Sequence, residues 1–162
     1  MFLSLLVGIS MLLVSFLSYA MPTALIVQLV VHFIRKGYAG PRFWKNVAVM
    51  MCVMLVTALA HLLQIALWAL AILFCGETST FENAFYCSGQ NYTALGYGDI
   101  VFSERWRLLG PLEAINGLLL FGLSTAVMFA ILSHLITNRL HLQPNHMGEA
   151  AGSLAAGGSG SK

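Results

Sequence analysis

The residues of this chain best suited to chemistry are two glycines and an acid in the run Gly96-Tyr97-Gly98-Asp99. Glycine adopts backbone angles that other residues avoid, so alternating glycines can turn successive carbonyl groups in one direction. Aligned carbonyl oxygens can replace the water molecules around a bare cation. A carboxylate beside them would raise the local concentration of cations. These residue types therefore favour ligation of a cation rather than the making or breaking of bonds.

The other reactive side chains form no catalytic or metal-binding pattern. The sequence has no nucleophile paired with a base, no phosphate-binding loop and no spacing typical of metal ligands. Cys52, Cys75 and Cys87 are odd in number and lack a CxxC pair, so we interpret them as buried thiols. A Cys75–Cys87 disulfide is the alternative. The net charge of +2 is too small to indicate a nucleic-acid partner, and we expect neither an enzyme nor a nucleic-acid-binding protein.

The composition indicates an integral membrane protein. Apolar residues make up 59% of the chain and charged residues 9%, whereas soluble domains have about 45–50% and about 25%. A membrane-spanning helix needs about 20 consecutive apolar residues. Three stretches are long enough and almost free of charge, namely residues 1–34, 46–76 and 107–139. We therefore expect an all-α membrane protein with three transmembrane helices.

Basic residues predict how these spans are oriented. Because Lys and Arg are enriched in cytoplasmic loops, a loop rich in them marks the inner side of the membrane. No basic residue precedes the first span, whereas four lie between the first and second spans: Arg35, Lys36, Arg42 and Lys45. We expect the N-terminus outside and the C-terminus in the cytoplasm.

The segment between the second and third spans predicts a re-entrant loop. It is too apolar for an ordinary loop and too short for a further span. Ser79-Thr80-Phe81-Glu82 fits a capping box that would begin a short helix, and the Gly-Tyr-Gly run follows that helix. Irregular backbone is tolerated at membrane depth where protein buries it or where it lines a watery cavity. A short helix followed by an extended strand therefore predicts a pore loop.

The run Thr93-Ala94-Leu95-Gly96-Tyr97-Gly98-Asp99 resembles the TTVGYGD signature of the potassium-channel pore-domain family. The resemblance covers about residues 44–139, so residues 1–36 are an additional N-terminal transmembrane helix. Residues 141–162 have the Gly-, Ala- and Ser-rich composition of a flexible tail or an added linker. The resemblance implies a pore domain at 43–140, made of an outer helix at 43–76, a pore helix at 80–93, a filter at 94–98 and an inner helix at 107–138.

The resemblance also implies a function. The chain would form a homotetramer in the lipid bilayer that selects and conducts dehydrated potassium ions. These K⁺ ions are transported cargo rather than cofactors of a reaction, and they would bind at the first four of the five filter residues. Backbone carbonyls would line the filter at Ala94, Leu95, Gly96, Tyr97 and Gly98. The residues expected to support the filter are Thr93, Asp99, Gln90, Tyr86 and Glu113.

Three positions depart from the family pattern. Ala94 replaces the usual Thr, which removes one hydroxyl group per subunit from the innermost ion site, and Leu95 replaces the usual Val. Gln90 stands where several relatives have an acid, and we expect it to form a hydrogen bond with Asp99. Glu113 either takes over part of that acid's role or is a rim carboxylate, paired with Arg107 or with the N-terminus of a pore helix.

Two glycines and a histidine within the spans are candidates for gating. Gly117 and Gly122 would allow the inner helix to bend, or would let neighbouring helices pack closely. His61 would make the channel sensitive to pH. Alternatively, His61 is a neutral residue that bonds to the first span, at Ser15, Ser18 or Gln28.

Three other functions stay open. The loss of threonine at Ala94 fits a non-selective cation channel. A potassium-transporter subunit uses a similar span–loop–span unit, although usually four times in one chain. The third alternative is a non-conducting accessory membrane protein. In a channel, the first span would stabilise the tetramer or bind an accessory subunit.

Overall fold

The computed structural model of the chain describes residues 2–35 and 43–142. Within these residues the regular structure is entirely α-helical, which confirms the predicted fold class. Lys36, Arg42 and the tail from residue 143 onward, on which part of the sequence prediction rested, lie outside the described residues. The four helices are α1 (Phe2–Arg35), α2 (Phe43–Phe74), α3 (Phe81–Tyr92) and α4 (Leu109–Leu142).

Three of these helices are long and apolar enough to cross a bilayer. The candidate spans are Phe2–Phe33 in α1, Val47–Phe74 in α2 and Leu109–Ser133 in α4. Large apolar side chains point away from the bundle along their length; Leu17 is 79% exposed and Phe74 is 86% exposed. Such continuous apolar surface suits lipid and not water. The chain is therefore a multi-pass membrane protein.

Helix α2 ends two residues earlier than the sequence predicted. The Gly76 N–H donates to the Leu73 carbonyl at 3.0 Å, and the Glu77 N–H donates to the Ile72 carbonyl at 3.3 Å. This pair of bonds is the Schellman motif that commonly ends helices. The motif needs a left-handed residue, and Gly76 provides it with a φ of 75°. Composition alone could not separate the last helical turn from the cap.

Helix α1 packs in antiparallel fashion along α2 and also contacts α4. The Trp68 indole N–H donates to the Ser15 hydroxyl oxygen at 3.0 Å. One helical turn away, the Gln64 amide donates to the Ser15 carbonyl at 3.1 Å and to the Ser18 hydroxyl oxygen at 2.9 Å. Buried polar side chains in a membrane helix need such partners because lipid offers none. These bonds fix the register of α1 on α2.

The short helix α3 lies between α2 and α4 at one end of the bundle. The side chains of α3 that face α2 are small, so the two helices lie close together. Ala84 of α3 is fully buried against Ile72 and Ala69 of α2. The Ser88 hydroxyl donates to the Ile65 carbonyl of α2 at 2.8 Å. Helix α3 is therefore held by both neighbours, and the chain that follows it starts from a fixed position.

All three cysteines are free thiols in this structure. The alternative of a Cys75–Cys87 disulfide is therefore wrong. Cys87 is 2% exposed on the inner face of α3, where the Asn91 amide donates to its sulfur at 3.7 Å. Cys75 lies beyond the end of α2 and Cys52 lies within α2.

Candidate functional site

The helix that precedes the filter residues begins at a threonine cap. Thr80 has extended backbone, and its hydroxyl oxygen accepts a hydrogen bond from the Asn83 N–H at 3.3 Å. The N-cap is therefore Thr80 and not Ser79, so Glu82 does not stand at the third helical position that the predicted capping box requires. Both threonine and serine suit an N-cap, which is why the sequence did not decide between adjacent positions. Glu82 lies in the first turn, where a negative charge is favourable.

The same helix ends in a second Schellman motif, and this one uses an alanine. The Ala94 N–H donates to the Asn91 carbonyl and the Leu95 N–H donates to the Gln90 carbonyl, both at 2.9 Å. Ala94 occupies the left-handed position with a φ of 57°, where glycine is usual. The Thr93 hydroxyl donates to the Gly89 carbonyl at 2.6 Å and satisfies a further helix-end carbonyl.

The backbone alternates in handedness after this helix. Ala94, Gly96 and Gly98 have φ values of 57°, 58° and 77°, whereas Leu95 and Tyr97 between them have negative φ. In an ordinary strand, successive carbonyls point to opposite sides. Alternation between left-handed and right-handed residues removes that reversal, so consecutive carbonyls can face one way. The sequence analysis included Ala94 among the filter residues, but it expected unusual backbone angles only at the glycines. The signal for a left-handed Ala94 is its place in the alternation, two residues before Gly96.

The side chains of this strand are exposed in the single chain. Leu95 is 59% exposed and Tyr97 is 68% exposed. They border a groove of about 680 Å³ beside α3, whose other walls include Phe81, Phe85 and Tyr86. A groove walled by apolar and aromatic side chains is expected to be covered by another surface.

Asp99 follows the strand, and its carboxylate accepts hydrogen bonds from side chains and from the backbone. The Gln90 amide donates to its carboxylate at 2.9 Å, as the sequence led us to expect. The Ile100 N–H donates to the same oxygen at 3.1 Å. The hydrogen bond from Gln90, with a further one from the Tyr86 hydroxyl, lowers the pKa of Asp99 below its usual value. Asp99 is consequently a carboxylate at neutral pH.

Glu113 lies in the interior and not at the rim. It is fully buried on α4, where its carboxyl group meets the Ser88 hydroxyl of α3. The alternative of a rim carboxylate paired with Arg107 does not describe this position. The side chain of Asn116, one turn further along α4, is also fully buried, and neither of its polar atoms has a hydrogen-bond partner within the described residues. Glu113 and Asn116 are three residues apart and so share one face of α4, a spacing that the sequence prediction did not use.

His61 contacts residues that the sequence prediction did not include. Its imidazole meets the hydroxyl groups of Tyr92 and Ser124, and Tyr19 completes the group. The predicted partners Ser15 and Ser18 bond to Gln64 instead. Sensitivity to pH at His61 stays a prediction. Tyr19 was missed because it lies in an apolar run, and Tyr92 because its position after Gln90 and Asn91 does not indicate a partner on another helix.

The two glycines proposed as hinges have different surroundings. A Cβ atom at Gly117 would lie 1.9 Å from the Tyr92 carbonyl oxygen, whereas one at Gly122 would meet nothing within 4 Å. The site of Gly117 matches the close-packing alternative. The hinge role of either glycine stays a prediction.

The comparison with protein families agrees with this geometry. Residues 58–134 match the model of a family described as ion channel. That range takes in the last part of α2, all of α3, the alternating strand and most of α4. No curated protein and no solved structure matches the chain.

Proposed function

We propose that four copies of this chain form a potassium-selective channel, since residues 58–134 match the model of a family described as ion channel. Residues 94–98 of each copy would line a shared central pore. Dehydrated K⁺ would pass between rings of backbone carbonyl oxygens that replace its water.

The observation that carries this proposal is the alternation of positive and negative φ from Ala94 to Gly98. Gly96 and Gly98 adopt left-handed backbone without strain, whereas at Ala94 it costs about 1–2 kcal/mol, a cost that an arrangement with a purpose would justify. Carbonyls that face one way give a narrow pore its ligands at each level. An external turn without a role in conduction has no need of this geometry.

The exposed side chains of the strand support assembly into a ring. One strand offers a single carbonyl at each level, which is too few to replace the water around an ion. Leu95 and Tyr97 present apolar surface that a single chain leaves open. In a fourfold arrangement this surface would pack between subunits and set the diameter of the carbonyl rings.

The charges along the pore loop also suit a cation. The C-terminal end of α3 points its partial negative charge, about half an elementary charge, toward the start of the strand. Asp99 stands at the other end of the strand as a carboxylate with a lowered pKa. Four copies of Asp99 would form an acidic ring that concentrates cations at the mouth.

The arrangement of the helices supports the predicted orientation. Gly8 of α1 contacts Leu112 at the start of α4, so the N-terminal end of α1 lies at the same end of the bundle as the pore loop. With the mouth of the filter facing outside, the N-terminus is outside and the end of α4 reaches the cytoplasm.

Ion flux through purified protein in liposomes tests the proposal. We expect flux in a potassium gradient and a reversal potential that favours K⁺ over Na⁺. Gly96→Ala should strongly reduce flux, because a φ of 58° costs an alanine about 1–2 kcal/mol and would turn the carbonyls of the strand out of line. Gly110→Ala is the matched control, since a Cβ there would make an ordinary 3.6 Å contact with Asn91. Wild-type protein without flux, or a chain that is not tetrameric, would refute the proposal.

A non-selective cation channel is the second candidate, and it is favoured by one observation. Ala94 supplies a carbonyl but no hydroxyl to the innermost site. Equal permeability to K⁺ and Na⁺ would establish this alternative. Ala94→Thr would then be expected to raise the preference for K⁺ by restoring the missing oxygen ligands.

The same measurements separate the remaining alternatives. A non-conducting accessory protein should show no flux alone, and Gly96→Ala should leave the activity of its complex unchanged. A transporter subunit that needs four non-identical repeats should not conduct as a homotetramer. Flux from the single purified chain excludes both.

A further inference from the structure

A buried hydrogen-bond network joins all four helices beside the last residue of α3. Its centre is His61 of α2, which is 8% exposed. The His61 Nδ1 atom lies 2.9 Å from the Tyr92 hydroxyl oxygen, and Nε2 lies 2.8 Å from Ser124 Oγ. The Tyr19 hydroxyl oxygen of α1 lies 2.7 Å from the same Ser124 oxygen. Ser124 itself belongs to α4.

One assignment of the hydrogens gives every donor in this network an acceptor. The Ser124 hydroxyl donates to the Leu120 carbonyl at 2.6 Å, so its oxygen accepts from Tyr19 and from His61 Nε2–H. His61 Nδ1 then has a free lone pair and accepts from the Tyr92 hydroxyl. The opposite tautomer would leave the Tyr92 hydroxyl hydrogen without a partner among the bonds of this network. The network therefore fixes His61 as a neutral ring with its proton on Nε2.

Tyr92 connects this network to the filter. It is the last residue of α3, two positions before Ala94, and it is fully buried. Its ring packs 5.4 Å from the Phe121 ring, between centroids, and the Phe121 ring lies 4.4 Å from that of His61. Its carbonyl lies against Gly117. A shift of the Tyr92 side chain would therefore move the point from which the filter strand begins.

We propose that His61 is a positioning residue for the selectivity filter, and that α1 takes part in ion selection through Tyr19. The inference rests on the proposed function and assigns a role to the helix that lies outside the matched family domain. Selectivity of a carbonyl filter depends on where the carbonyls stand. His61 anchors the end of α3, and Tyr19 and Ser124 orient His61 from the opposite side.

Reversal potentials in liposomes with K⁺ and Na⁺ gradients test the role of His61. Tyr92→Phe removes one hydroxyl and keeps the ring. We expect it to lower the K⁺/Na⁺ permeability ratio by about two- to tenfold, the range that corresponds to one lost hydrogen bond. His61→Leu should lower the ratio at least as much. His61→Gln keeps one acceptor and one donor, so it should restore part of the wild-type ratio.

Thr57→Val is the matched control for a buried polar group on α2. The Thr57 hydroxyl donates only to the Val53 carbonyl of its own helix, at 2.8 Å, and lies one turn from His61. The Thr57→Val variant should keep the wild-type K⁺/Na⁺ permeability ratio. Tetramer formation is checked for each variant by size-exclusion chromatography. If His61→Leu does not assemble, the comparison of Tyr92→Phe with Thr57→Val decides the result.

The role of α1 is tested by a double-mutant cycle. Tyr19→Phe alone should lower the permeability ratio, and by less than Tyr92→Phe, because Tyr19 contacts His61 and Ser124 and reaches Tyr92 only through His61. In the Tyr19→Phe/His61→Leu double variant the effect of Tyr19→Phe should vanish, since the ring it orients is absent. Purely additive effects would overturn the assignment.

The outcomes separate this inference from the function on which it rests. A wild-type protein that conducts without preference for K⁺ contradicts the proposed function itself. A selective wild-type protein whose Tyr92→Phe and Tyr19→Phe variants keep the full ratio contradicts only the positioning role. A ratio lowered equally by Thr57→Val would show a general effect of buried substitutions and would also overturn the inference.

Discussion

Gly117 of α4 lies directly against the carbonyl group of Tyr92 at the end of α3. A Cβ atom added at Gly117 would be 1.9 Å from the carbonyl oxygen and 2.8 Å from the carbonyl carbon. Both atoms belong to the backbone, which has no flexible side-chain end that could move aside. The absence of a side chain at residue 117 therefore allows α4 to pack against the end of α3.

Gly117→Ala should destabilise the protein even though alanine favours helices. Replacing glycine by alanine within a helix gains about 1 kcal/mol, whereas overpacking of a tight contact costs about 1–3 kcal/mol. The contact lies well inside van der Waals distance, so we expect the second effect to exceed the first. Thermal unfolding of the purified protein in detergent measures the sign of the change in stability.

Gly122→Ala is the control for this prediction. A Cβ at residue 122 meets nothing within 4 Å, so alanine should stabilise α4 or leave its stability unchanged. If Gly117 acted as a hinge without tight packing, Gly117→Ala would also stabilise the helix and would alter open probability instead. Higher unfolding temperatures for both variants would contradict the packing interpretation.

Ala94→Gly should increase stability by up to about 1 kcal/mol. The alanine has a φ of 57°, and left-handed backbone costs a non-glycine residue about 1–2 kcal/mol. Glycine removes that cost but gives the unfolded chain more freedom, which opposes the gain by about 0.4–1 kcal/mol. The remaining difference favours glycine. Calorimetry or thermal unfolding of the two proteins side by side measures it.

Leu95→Gly provides the contrast. Leu95 has a negative φ, so its replacement by glycine relieves no backbone strain and removes an apolar side chain. It should lower the unfolding temperature. A loss of stability in Ala94→Gly of similar size would show that residue 94 is not strained.

Three spans, a short helix and the strand after it could be predicted from the sequence. The pattern of glycines, the capping residues and the lengths of the apolar runs were sufficient for this. Those features depend on local chemistry that neighbouring residues in the sequence determine. The left-handed Ala94, the burial of Glu113 and the partners of His61 were not predictable in this way. Each depends on which helices meet, and residues such as Tyr19 and Ser124 are more than one hundred positions apart in the chain. A single sequence without contact information leaves such pairings open.

Glu113→Gln should preserve the fold, whereas Glu113→Ala should not. The Ser88 hydroxyl has one hydrogen and contacts two oxygens, the Ile65 carbonyl and the Glu113 carboxyl. When Ser88 donates to Ile65, the second contact requires a hydrogen from residue 113, and the glutamine amide can supply one. Alanine leaves Ser88 with one partner fewer and a cavity, at a cost of about 1–3 kcal/mol for the lost bond alone. Unfolding temperatures at neutral pH compare the two variants, and an equal loss in both would contradict this arrangement.

Gln90→Leu should shift the dependence of conductance on external pH toward neutral values. Hydrogen bonds from Gln90 first, and then from Tyr86 and backbone N–H groups, lower the pKa of Asp99. Because the pKa of Asp99 is lower in the folded than in the unfolded protein, its ionised carboxylate stabilises the folded state. This stabilisation is complete above the unfolded pKa, about 3.9, and is lost as the pH falls through the folded pKa. Single-channel conductance of the wild type should therefore fall only at strongly acidic external pH, when the Asp99 ring loses its charge. Leucine removes the Gln90 donor, so the midpoint should rise. In the proposed tetramer, repulsion among the four Asp99 carboxylates would act on both proteins alike and would not reverse the order of their midpoints. Asp99→Asn, which cannot titrate, is the control, and conductance curves of wild type and Gln90→Leu that coincide would contradict the role given to this hydrogen bond.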